Sequence, residues 1–156
     1  MNRPSWYETF MEMAVVLSKR STCKYYKVGA VFARDKRFLT GGYNGPVSGD
    51  FHCVEVGCAK EDKDGNRLPP GSGSCRGAHA EMNGISNAAN IGVKVRDSVI
   101  YITYRPCYDC AKHVINAGVN KIIYLKDYDG DLPAIELLER RKIPLIKFNT
   151  ISGINF

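Results

Sequence analysis

Between Ser98 and Phe148 the chain alternates β-rich apolar runs with helical patterns: "SVIYITY", a helix over 107–117, "NKIIYL", "LPAIELLERRK" and "IPLIKF". A run such as "SVIYITY", apolar with little alternation, fits a strand covered on both faces. Strands separated by helix-length segments pair in parallel through right-handed crossovers, which place the helices against the sheet. The second half therefore predicts an α/β arrangement.

The first half supplies an antiparallel element. "KVGAVFAR" and "FLTGGYNG", joined through Asp35 to Arg37, read as a hairpin. Before them, residues 5–20 predict a helix opened by a capping box, Ser5 with Glu8, and Trp6, Phe10, Met13 and Leu17 recur as one core stripe. A further helix is expected through "AEMNGISNAANIG", ended by Gly92. The expected architecture is a central mixed sheet flanked by helices.

At 156 residues the chain fits one domain, 1–156, without a linker or internal repeat. Hydrophobic content of 44% and charged content of 24% are those of a folded soluble protein. "MNRPSWYETF" has no signal-peptide pattern, and no stretch reaches a membrane span, so the expected setting is the cytoplasm, with no membrane partner. There, six cysteines point to metal or reactive thiols rather than a disulfide framework. The formal charge of +6 suits an anionic partner but does not separate a nucleotide from a polynucleotide.

One segment, 46–78, offers little to bury, and its centre reads "AKEDKDGNRLPPGSGS". A loop of that length in a compact domain needs another means of fixation. It carries Cys53, Cys58 and Cys75 and follows "STCKYYK" with Cys23. Four thiols are the number a closed structural zinc site requires, with His52 as a rival ligand and a disulfide as the alternative. The charge run Lys60 to Asp64 reads as a solvated tip, and His113 as a packed or surface residue.

The chemistry lies in "RGAHAEMNGI" and "YRPCYDC". A catalytic zinc takes about three protein ligands and needs a nearby base that is not a ligand. His79, Cys107 and Cys110 supply the ligands and Glu81 the base. Cys107 and Cys110 lie one turn apart at a helix start, where unpaired N–H groups stabilise thiolate. H-x-E followed by P-C-x-x-C is the known signature of zinc-dependent nucleobase deaminases.

Through "VGAV", "GGYNG", "HAEMN" and "RPCYDC", in that order, the chain resembles the zinc-dependent cytidine and deoxycytidylate deaminase superfamily over nearly its whole length. Within it the likeness is greatest to the deoxycytidylate (dCMP) deaminases, which share "STC", "GYNG", a cysteine-bearing insertion and "HAExN". The resemblance implies a three-layer cytidine deaminase-like fold with five strands, a homohexamer, and hydrolysis of dCMP to dUMP and ammonia for thymidylate synthesis. Glu81 would shuttle the protons. It also implies a second zinc, with Cys23 and Cys53 at matching positions and Cys58 and Cys75 in place of ligands that are histidines in some relatives.

Substrate contacts are expected from Asn44, from the Ala80 backbone N–H toward the pyrimidine carbonyl, from Asn83, and from Arg105 toward the 5′-phosphate. The resemblance also implies regulation at Gly42, Tyr43, Asn44 and Gly45, between subunits, with dCTP as activator and dTTP as inhibitor. The alternatives are action on dCTP or cytidine, action on RNA or single-stranded DNA, and a non-catalytic zinc module. The insertion, Asn83 and the lack of an aromatic and basic tail argue against a nucleic-acid partner. Glu81, which a structural site does not need, argues against the module.

Overall fold

The computed structural model describes residues 3–69 and 72–149, so Pro70 and Gly71 of the expected insertion and the tail from residue 150 lie outside the described residues. The first helix, α1 (Trp6–Ser18), opens as expected. The Glu8 N–H donates to Ser5 Oγ at 3.2 Å, and the Ser5 N–H donates back to the Glu8 carboxylate at 2.7 Å. Its buried face differs from the expected stripe: Phe10, Met11, Ala14 and Ser18 are buried, while Trp6 stays 41% exposed. The small residues Ala14 and Ser18 lie where the helix approaches the sheet at Gly29, so close backbone approach, rather than side-chain size, selects the face.

β1 (Gly29–Arg34) and β2 (Arg37–Tyr43) form the hairpin. Asp35 and Lys36 between them have φ of 51° and 61°. Positive φ at both turn residues matches the right-handed twist of the flanking strands. The insertion is not bare loop. It contains β3 (Gly45–Pro46), the short α2 (Cys53–Val56) and β4 (Gly77–Ala78), with β3 and β4 paired antiparallel.

The rest follows the expected alternation: α3 (Ala80–Ile91), β5 (Val99–Tyr104), α4 (Tyr108–Asn116), β6 (Lys121–Lys126), α5 (Leu132–Arg140) and β7 (Leu145–Lys147). Gly92 ends α3 in the left-handed conformation, as expected of a helix-terminating glycine. The five-stranded sheet runs β2-β1-β5-β6-β7, with β1 antiparallel to β2 and β5, and β5, β6 and β7 parallel.

Strand periodicity of two divides the core into layers. Ala30, Phe32, Ile100, Ile102, Ile122 and Tyr124 face α3, α4 and α5 through Ala80, Ala88, Ala111, Val114, Ala134 and Leu138. Val31, Ala33, Tyr101 and Ile123 face α1 through Phe10, Met11 and Ala14. The result is a three-layer α/β fold built on a mixed five-stranded sheet.

Two glycines set the position of α3 on this sheet. A Cβ on Gly42 would meet Ala80 O and Gly84 N, each at 2.5 Å, and one on Gly84 would enter the Phe32 ring. With hydrogen at both positions, the α3 backbone lies directly on β2 and its first residues reach the end of β5.

Candidate active site

His79 is the N-cap of α3 and Cys107 the N-cap of α4, with Cys110 in the first turn of α4. Two helix N-termini thus converge at the carboxyl end of β5, the edge at which open α/β sheets place their ligands. His79 Nδ1 lies 3.4 Å from Cys107 Sγ and 3.3 Å from Cys110 Sγ, and the donor atoms of all three lie within 4.8 Å of one another. Tetrahedral zinc with sulfur and nitrogen ligands holds its donors about 3.6 Å apart, close to the two nitrogen-to-sulfur distances here.

The thiols are electrostatically unequal. Hydrogen bonding with Cys110, and then with His79, pulls the Cys107 thiol down to about 4 despite its partial burial. Hydrogen bonding with Cys107, and then burial, pushes Cys110 up, while the bond to Cys107 raises His79. Deprotonation of both sulfurs would set two thiolates at a helix N-terminus for a divalent cation.

Glu81, in the first turn of α3, is only 3% exposed. Burial pushes its carboxyl up to about 7. A carboxyl in that range both takes and returns protons at neutral pH. His79, Ala80, Glu81 and Cys107 line a cavity of about 280 Å³, and Tyr26, Tyr104 and Tyr128 form its aromatic wall.

A sequence profile of the cytidine and deoxycytidylate deaminase zinc-binding region matches residues 4–126. The chain belongs to that family. His79, Cys107 and Cys110 lie within the matched zinc-binding region and form a group that could hold a metal ion. Among its relatives, ComE operon protein 2 of Bacillus subtilis (strain 168) is 39% identical over 140 residues, which cover 90% of this chain and 69% of that protein. The deoxycytidylate deaminase of Schizosaccharomyces pombe is 32% identical over 149 residues, 94% of this chain but only 45% of that enzyme, so the chain spans less than half of it. The crystal structure of the dCMP deaminase from cyanophage S-TIM5 in complex with dCMP and dUMP superposes with a TM-score of 0.76 at 30% identity, covering 95% of this chain and all of that one.

The remaining expected residues are placed less uniformly. Cys23, Cys53, Cys58 and Cys75 line the same cavity, but among the described residues His79, Cys107 and Cys110 are the one group of three or more such side chains whose donor atoms all lie within 4.8 Å of one another. None of the six cysteines is in a disulfide. The rival His52 has its Nδ1 3.2 Å from Oγ1 of Thr22, the residue before Cys23. His113 is exposed on α4, as expected.

Asn44 lines the cavity, yet its amide holds the chain beside it: Oδ1 accepts from the Val28 N–H and Nδ2 donates to Tyr26 O, both at 2.8 Å. Asn83 donates to Tyr43 O at 2.8 Å, tying α3 to the end of β2. Gly42 and Gly45 are buried, and Gly42 packs on α3 instead of presenting open backbone to a phosphate. Arg105 donates to both Asp131 oxygens, one at 2.9 Å, and lies 3.2 Å from Asp127. A phosphate at Arg105 would compete with two carboxylates already in place.

Some functional residues escaped the sequence reading. Tyr26, Tyr104 and Tyr128 come from three separate segments, and their meeting is a tertiary event. The charge run is not a free tip: Glu61 accepts from Lys24 Nζ at 2.8 and 2.9 Å and from Tyr25 O–H at 2.5 Å. Nothing in the mixed-charge run singles out Glu61 from Asp62 and Asp64, because its partners lie more than thirty residues away.

Proposed function

We propose that this chain deaminates dCMP hydrolytically to dUMP and ammonia, supplying dUMP for thymidylate synthesis. The observation that carries this reading is the buried Glu81 beside His79, Cys107 and Cys110, in one cavity of a chain 30% identical to a structure containing dCMP and dUMP. His79, Cys107 and Cys110 would hold a zinc ion, which would supply Lewis-acid activation of water at neutral pH. Glu81 takes a proton from the attacking water, delivers one to ring nitrogen 3, and carries another to the departing amine. One carboxylate serves each transfer because the charge around it changes between them. Ala80, the first residue of α3, has no intrahelical partner for its N–H, which would donate to the pyrimidine carbonyl. Asn44 and Asn83 hold the β2 end against the site and are the proposed contacts to the sugar.

The proposal extends to a second, structural zinc on Cys23, Cys53, Cys58 and Cys75. In its support, all four face one cavity, and two of the sulfurs accept backbone N–H groups: Cys23 from Tyr26 at 3.5 Å and Cys58 from Lys60 at 3.4 Å. It extends also to a single catalytic domain over 1–156, a cytoplasmic setting consistent with six unpaired thiols, a homohexamer, and control by dCTP and dTTP near Gly42 to Gly45. These last two rest on the family resemblance. No helix among the described residues is long and apolar enough to cross a membrane.

The deciding experiment is an ammonia-release assay of the zinc-loaded protein on cytidine, dCMP, dCTP and a short single-stranded oligonucleotide. Highest kcat/KM on dCMP is the expected result. Preference for any other substrate overturns the assignment in favour of that one.

A further inference from the structure

Three long cationic side chains line the cavity: Lys60, Arg67 and Arg105. They are not equally free to meet an anion. Arg105 is matched by Asp131 and Asp127, and Lys60 Nζ donates to Ser72 O. Among the described residues, no carboxylate lies in ion-pair range of Arg67.

Arg67 instead lies over aromatic faces. Its guanidinium carbon is 4.6 Å from the centre of the Tyr25 ring and 5.6 Å from that of Tyr26. A guanidinium on an aromatic shelf is held in orientation while its edge N–H groups remain available in a planar fork, the geometry that pairs with phosphate oxygens. The shelf is itself braced, because Tyr26 makes edge contacts with Tyr104 at 5.6 Å and Tyr128 at 5.5 Å.

The backbone under Arg67 is braced as well. Arg67 pairs antiparallel with Glu61, and the Leu68 N–H donates to Lys60 O at 2.8 Å. The Glu61 carboxylate clips this turn to Lys24 and Tyr25, so the residue opposite Arg67 is tied to the same segment that supplies its aromatic shelf. The insertion thus delivers one unneutralised fork to the cavity that holds His79 and Glu81.

We propose that Arg67 selects 5′-phosphorylated substrates by pairing with the phosphate, and that Glu61 acts as its positioning residue. This deepens the proposed function and rests on it, and it assigns to the insertion the role expected of Arg105.

The test uses zinc-loaded wild type, Arg67→Ala, Arg67→Lys and Glu61→Gln. For each, kcat/KM is measured on dCMP and on deoxycytidine, and dUMP and deoxyuridine are titrated calorimetrically. Loss of a charge-assisted bidentate contact should lower kcat/KM on dCMP and affinity for dUMP about 10- to 100-fold in Arg67→Ala. The unphosphorylated pair should change by no more than about twofold. Arg67→Lys should recover part of the loss, since it keeps the charge but not the fork. Glu61→Gln should raise KM on dCMP with kcat unchanged. Equal losses on nucleotide and nucleoside, or an undiminished preference for dCMP in Arg67→Ala, would overturn the assignment. The proposed function fails separately, in the wild type: if another cytosine nucleotide is preferred, the ratio of that nucleotide to its own nucleoside decides Arg67, and a wild type indifferent to the phosphate overturns both.

Discussion

Cys107 and Cys110 stand on the first turn of α4 directly after a buried strand, whereas Cys23, Cys53, Cys58 and Cys75 hang on segments with little apolar surface of their own. The first pair, with His79, is brought to ligand distance by elements that pack in the core, β5, α3 and α4. The second set lines one cavity, and no three of its sulfurs all lie within 4.8 Å of one another. A preorganised site spends binding energy on the ion, while a loop-borne site couples binding to ordering its own chain.

The largest effect tests the core-built side. Glu81→Gln should lower kcat by about 10²- to 10⁴-fold, because proton transfer is lost, while metal analysis still finds the ion on His79, Cys107 and Cys110. Retained turnover with full metal content would remove Glu81 from the chemistry.

Next comes the packing beneath that centre. Gly84→Ala adds a Cβ into the Phe32 ring, and overpacking costs about 1–3 kcal/mol against a helix-propensity gain of up to about 1. Chemical denaturation should show a net loss, and activity should fall with it because the start of α3 shifts. An unchanged midpoint would mean that α3 is not set by that contact. Gly42→Val should be worse still, which makes it unsuitable as a probe of effector binding.

Cys58→Ser examines the loop-borne side. If the second zinc is bound, metal content should drop from two ions per chain to one, and the insertion should become more susceptible to protease. Deamination of saturating dCMP should stay within a few-fold of wild type, since the catalytic ligands are mounted elsewhere. One ion per chain in the wild type would dissolve the comparison.

The smallest expected effect is the pH response of the clip. Hydrogen bonds from Lys24 first, and Tyr25 second, hold the Glu61 carboxyl below the usual carboxylate range. A lowered folded-state value means that the contribution is present above the ordinary carboxylate pKa and is lost as pH falls through the lowered one. Amide exchange around residues 60–68 should therefore differ between wild type and Glu61→Gln at neutral pH and converge in acid. Lys24 is exposed, so high salt should also narrow the difference.

Residues 98–148 were legible because their pattern is local: strand and helix periods, helix starts and C-x-x-C spacing are each set within a few residues, and the same local order places Cys107 and Cys110 on one helix turn. His79 and Glu81 were legible for the same reason. What faces what was decided by tertiary structure. α1 turned Trp6 outward because Ala14 and Ser18 allow the closer approach, and Arg105 was claimed by Asp131 from the start of α5. Tyr26, Tyr104 and Tyr128 became one wall, and Glu61 became a clip, through pairings between distant segments. Sequence spacing carries the geometry of one turn or one strand; whether a side chain is free or already paired depends on groups that only the folded chain brings within reach.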